Sequence, residues 1–227
     1  MGIMVTLTFE QVRHVVELSF PGYAPIRSTY WRSVNDAVGL YLLDSTKDES
    51  WFRSVMQAIV GLAFTNAALA ALVDTGEDSH LTVSLLSLVT AYKLAEFGFV
   101  ESLILSLRLV KYPSTEIIDD EEVQVEAGPD EIQAMEVARK RADGYSQGLD
   151  ILYNNVKVRA AGERILLFTG YDGMESCFDC QKYKGLRKPA SWWVANNAIP
   201  PNRDFECKGY NCMHVLQDVT TGKLFTI

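Results

Sequence analysis

The chain has 227 residues, 21 Lys and Arg against 29 Asp and Glu for a formal net charge of -8, and 48% hydrophobic residues. That is enough apolar material to build a core, so wholesale disorder and collagen-like fibres are excluded, and the length suits one domain with a small module. An acidic chain without a long Lys/Arg run gains little by releasing counterions from phosphates, so a broad basic nucleic-acid face is excluded and only a local patch remains open.

Between Thr8 and Phe20, Phe9, Val12, Val15, Val16 and Leu18 recur with Glu10, Arg13 and Glu17 between them. This predicts a short amphipathic helix, ended by Pro21, Gly22 and Pro25. Met1 to Phe9 has no basic leader followed by an apolar run, so the expectation is no secretory signal and synthesis in the cytoplasm. A second helix is expected over about Arg27 to Leu43. A third starts near Asp48, a candidate N-cap, with Trp51, Phe52, Val55 and Met56 on one side.

The 20 residues from Ser54 to Val73 carry no charge, long enough to cross a bilayer. Gln57, Thr65 and Asn66 lie within them, Gly61 and many alanines lower their hydrophobicity, and the flanks (Asp48, Glu49, Asp74, Glu77, Asp78) are acidic. The expectation is a helix buried on most faces and no membrane partner. Leu81 to Val110 is again apolar, with Lys93, Glu96, Glu101 and Arg108 leaving a polar stripe. It predicts an antiparallel partner, joined through Asp74 to Ser79 into a long helical hairpin at the heart of a helical domain over 1–112.

Residues 113–129 change character, with Glu116, Asp119, Asp120, Glu121, Glu122 and Glu126 beside Ile117, Ile118, Val123 and Val125. They read as an exposed acidic linker, with docking onto a basic surface as the alternative. Helical periodicity returns from Asp130, predicting a connecting helix over 130–162 that leads into a small α+β module over 163–227. The expected fold class is therefore mainly α: a helical N-terminal domain with a long hairpin, plus a small zinc-ribbon-like C-terminal module.

All four cysteines fall in that module. After an expected strand at Arg164 to Gly170 comes Cys177-Phe-Asp-Cys180, then 26 residues, then Cys207-Lys-Gly-Tyr-Asn-Cys212-Met-His214. Two thiols separated by two residues can both reach one cation from a tight turn, and a second cluster completes a tetrahedron. The spacing predicts structural zinc on Cys177, Cys180, Cys207 and Cys212, with His214 as the alternative ligand; thiolates favour zinc. A redox dithiol at Cys177 and Cys180 would need a helix after the strand, and none is legible. Metal-free buried thiols and disulfides are the other readings.

The sequence holds no His-Glu-x-x-His, no Gly-rich phosphate loop and no Gly-x-Ser-x-Gly, so the expectation is no enzyme. His14 and His80 read as ordinary helix-surface or cap residues. Between the cysteine pairs, Lys182, Lys184, Arg187 and Lys188 mix with Tyr183, Trp192 and Trp193. These aromatics read as a mini-core over the metal site; stacking on single-stranded nucleic acid is the alternative.

The framework Cys177-x-x-Cys180, Tyr183, Gly185, Pro189-Ala-Ser-Trp192, Ile199-Pro200, Cys207-x-Gly-Tyr-x-Cys212-x-His214 and Thr221-Gly222 resembles the C-terminal part of tailed-bacteriophage head morphogenesis and minor head proteins. Members carry a closing cluster of the type Cys-x-Gly-x-x-Cys-x-Cys; here His214 takes the last position. The resemblance spans about residues 165–227. It implies a non-enzymatic virion protein: a ring-forming head-to-tail connector in the neck, bound to the portal and to other neck or tail proteins, touching packaged DNA only as it passes. A minor head protein aiding capsid assembly is the alternative inside that family, and a zinc-ribbon adaptor binding nucleic acid the alternative outside it. The implied location is the head-tail junction, with assembly in the host cytoplasm.

Overall fold

A computed structural model describes residues 22–75, 83–112, 115–118, 121–124, 128–170, 176–209, 212 and 214–227. The helix expected over Thr8 to Phe20, His14, His80 and most of the Asp74 to Ser79 turn lie outside the described residues.

Four long helices dominate: α1 (Tyr23–Leu43), α2 (Glu49–Thr75), α3 (Val83–Lys111) and α4 (Glu131–Ala160). Local chemistry sets their starts. The Asp48 carboxylate accepts from Trp51 N–H at 2.7 Å, and that of Asp130 from Gln133 N–H at 2.8 Å, each satisfying a backbone donor with no partner inside its helix. The buried Lys111, at the end of α3, donates to the carbonyls of Asp44 and Lys47 and so clamps the α1–α2 turn.

Cross-links between helices fix their directions. Tyr30 lies edge-on to Phe64 and Tyr41 against Phe52, which makes α1 and α2 antiparallel. Arg53 with Glu101, and Thr65 with Lys93, make α2 and α3 antiparallel. Arg27 with Asp150, and Trp31 with Asp143, run α4 against α1. The result is an up-down-up-down four-helix arrangement. In it α4 packs mainly in the groove between α1 and α2, and α3 lies chiefly on α2.

The expected hairpin of long apolar helices is present as α2 and α3. By length and composition α2 is the one helix among the described residues apolar enough to span a bilayer. Its Phe52, Met56, Val60, Phe64, Ala67 and Ala71 are buried in the bundle core, where the alanines allow neighbouring helices to come close.

Two expectations need correcting. The helix anticipated as a connection is the fourth helix of the bundle: Ala134, Ala138, Ala142, Leu149 and Leu152 are buried in its core. Its last turn does continue into the module, whose core takes in Val158 and Ala161. The segment anticipated as a plain linker holds an antiparallel hairpin, β1 (Thr115–Ile118) with β2 (Glu121–Gln124). Its Thr, Ile and Val residues favour strand geometry, and the acidic residues between them hid that pattern.

The C-terminal module is a three-stranded antiparallel sheet with two short helices. Strand β3 (Ile165–Gly170) is central, flanked by β4 (Arg187–Pro189) and β5 (His214–Asp218), with α5 (Phe178–Tyr183) and α6 (Ala190–Ala195) on the connections. The alternation along β5, His214, Leu216 and Asp218 buried with Val215 and Gln217 half-buried between them, sets its register against β3. Asn154 of α4 docks the module: its amide donates to the carbonyls of Pro200 and Ile227 and its oxygen accepts from Ile227 N–H.

Candidate metal centre

The five sulfur and nitrogen candidates come from three places in the module. Cys177 caps α5, its sulfur accepting from Cys180 N–H at 3.4 Å, and Cys180 is the third residue of that helix. This corrects the expectation that no helix follows the strand: a short one opens directly at Cys177. Cys207 sits in a turn closed by Lys208 N–H bonding to the Phe205 carbonyl at 2.7 Å. In that turn Gly209 takes φ +79°, a left-handed conformation that a side chain disfavours. Cys212 and His214 arrive where β5 begins.

These places converge. Ligand atoms of Cys177, Cys180 and Cys207 lie within 4.8 Å of one another, as do those of Cys180, Cys212 and His214, so Cys180 belongs to both groups. The Cys180 and Cys212 sulfurs are 3.8 Å apart, and all four thiols are unbridged. The Cys-x-x-Cys pair is therefore not an isolated dithiol; a third and a fourth sulfur crowd it. The buried His214 stacks its ring on Phe168, with centroids 5.4 Å apart, beside the sulfurs.

Electrostatics at the cluster favours a cation. Burial, then the nearby Cys212 and Cys177 sulfurs, push the Cys180 thiol far above its usual range. Burial also pushes Cys207 up to about 11. At Cys177 burial acts upward too, but hydrogen bonds from the backbone N–H groups of Cys180 and Cys207 outweigh it and leave the thiol lowered. Thiols crowded this closely cannot all ionise unless positive charge sits among them, and a divalent cation supplies it. Four cysteines and a histidine in this arrangement can hold a metal ion.

Two carboxylates that the sequence did not single out brace the cluster. Glu206 accepts from Phe178 N–H at 2.9 Å while Asp179 accepts from Glu206 N–H at 2.8 Å, a reciprocal pair joining the two cysteine-bearing turns. The only sequence sign was an acidic residue beside a cysteine in each turn.

The aromatics between the cysteine pairs form a core. Trp193 is fully buried and donates Nε1–H to the Lys188 carbonyl at 3.1 Å and more weakly to that of Leu166. Tyr183 stacks on Phe205 with centroids 5.6 Å apart, and Trp192 packs edge-on to Trp193 at 5.0 Å. Lys182 and Lys188 lie over the rings of Tyr183 and Trp192. Rings committed to one another in this way offer little free face for a base to stack on.

No family model, no curated protein and no solved structure matches this chain.

Proposed function

We propose that this chain is a non-enzymatic structural protein of a tailed phage, a ring-forming head-to-tail connector bound to the portal, whose C-terminal module is stapled by zinc. Cys177, Cys180, Cys207 and Cys212 are the ligands, and His214 lies beside them as the substitute.

The observation that carries the metal assignment is the Cys180 to Cys212 separation of 3.8 Å. A tetrahedral site with zinc-sulfur bonds of about 2.3 Å has sulfur-sulfur edges of about 3.8 Å. A closed set of four protein ligands leaves no position for substrate, which favours a structural ion over a catalytic one. The stapling has a physical purpose, because the module's core is small and binding energy at a site that exists only in the folded state is folding energy. The virion assignment rests on the cysteine, glycine, tryptophan and proline framework of residues 165–227, and the helical bundle provides the faces that a ring needs. The packed aromatics weigh against the nucleic-acid adaptor.

The test is elemental analysis and native mass on chain purified under reducing conditions, alone and with portal. The expected result is one zinc per chain, lost in Cys177→Ser, retained in His214→Ala, and rings with portal present. Chain without metal would overturn the staple, and monomers in the presence of portal would overturn the connector.

A further inference from the structure

In an up-down bundle the fourth helix normally closes against the third, but here α3 and α4 touch only sparsely. Between them and the turn before Cys207 lies a cleft of about 680 Å³. Lys140, Arg141, Arg203 and Lys208 line it against one carboxylate, Glu96, which is already paired with Arg203. Lys140 and Lys208 make no ion pair among the described residues. Tyr145 also lines the cleft; it is 8% exposed and its hydroxyl has no hydrogen-bond partner in the structure. Lysines without an ion-pair partner, set against a single carboxylate that is already paired, make a site for acceptor groups that bear negative charge, and carboxylates fit it.

The same chain carries a matching group. Residues 113–129 hold six acidic residues and no basic one, and they include the β1–β2 hairpin. Among the described residues the hairpin has no substantial contact with any other element. A two-stranded hairpin by itself is marginally stable in water, so this one gains by docking. We propose that the cleft between α3 and α4 receives the acidic β1–β2 hairpin of a second copy of this chain.

Opposite charge on two separate patches gives the contact its direction and its partner selectivity. Because hairpin and cleft are different surfaces, each copy donates one and offers the other, a head-to-tail contact that closes into a ring when its rotation allows. The proposal thus deepens the connector reading, on which it rests for the choice of a second copy as partner. It also links the two sites of the chain, since Lys208 follows the ligand Cys207 and the metal-bound turn presents it to the cleft.

The test uses three full-length chains at low salt: wild type, a hairpin reversal (Glu121→Lys with Glu122→Lys) and a cleft reversal (Lys140→Glu with Arg141→Glu). Circular dichroism checks that each is folded, and sedimentation and native mass read assembly. The expected result is wild-type assembly that weakens as salt is raised, monomers for either variant alone, and assembly restored when the two are mixed, since the intact hairpin then meets the intact cleft and the reversed hairpin meets the reversed cleft with opposite charge. A monomeric mixture overturns the proposal, as does a wild type that stays monomeric at low salt. A hairpin reversal that shifts melting without changing assembly assigns the cleft to the chain's own hairpin and also overturns it. Rings formed on portal equally well by all three chains overturn this contact and leave the connector standing; no assembly by wild type, even with portal, overturns both.

Discussion

Arg203 Nη2 donates to the buried Glu96 carboxylate at 3.1 Å, and the pair lies against the bare backbone of Gly148. A Cβ at that glycine would stand 2.7 Å from Arg203 Nη2 and 3.0 Å from Glu96 Oε2. The contact joins α3, α4 and the turn leading to Cys207. It is therefore a mechanical link between the bundle and the cysteine-bearing module, beside the Asn154 clasp.

Gly148→Ala tests that link. The atoms in the way are the ends of two side chains, so they move apart while the backbone stays in place. Alanine also favours the helix by about 1 kcal/mol over glycine. The expected result is that the two side-chain ends shift slightly with the Glu96 to Arg203 bond kept, so the net change in denaturant stability is small, within about 1 kcal/mol. A loss above about 3 kcal/mol would show that the pair is locked in place and the helix yields with it.

Glu96 makes stability depend on pH. Burial raises its carboxyl above the ordinary value of 4.5, and Arg203 offsets this only in part. The folded chain thus holds this proton to higher pH than the unfolded chain does. Its contribution to stability is greatest below the unfolded pKa, falls as pH rises through the interval up to the folded pKa, and is lost above it. Glu96→Gln has no such proton, so as pH rises from the ordinary carboxyl value of 4.5 the melting temperature of the variant should rise relative to wild type. Parallel curves for the two chains would remove Glu96 from the pH response.

Among the described residues Trp193 is the largest fully buried side chain, and its indole bridges two carbonyls across β3 and β4. Trp193→Ala should cost about 3–5 kcal/mol and melt the module, while Trp192→Ala, at a half-buried position, should cost clearly less. Near-ultraviolet circular dichroism and denaturant titration of the two variants check the order. Equal losses would contradict the mini-core described above.

Chelation should unfold the module selectively. Tryptophan fluorescence would then shift while far-ultraviolet helicity stays high, because the four long helices have their own core. Acidification should release the ion by the same route, as protons compete for the thiolates. Loss of helicity in step with the fluorescence change would mean that bundle and module unfold together.

Much of this molecule was legible from local pattern. The helices over Arg27 to Leu43 and from Asp48 onward followed from apolar spacing and caps, and Asp130 does start α4. Cys177 with Cys180, and Cys207 with Cys212, signalled a shared centre because each pair is close in sequence. The hairpin at Thr115 to Gln124 was hidden because its strands are four residues each and five of those eight positions are charged or polar. The α5 helix was hidden because six residues hold too few turns to show a period.

The sequence by itself determined where helices begin, which segment is acidic and which residues can bind metal, because those signals act over a few neighbouring residues. Only the tertiary structure decided that α4 completes the bundle, that α3 and α4 stand apart over a basic cleft, and that Glu96 meets Arg203 from 107 positions away. Such pairings depend on which surfaces bury each other best, a competition among whole elements that no local spacing records.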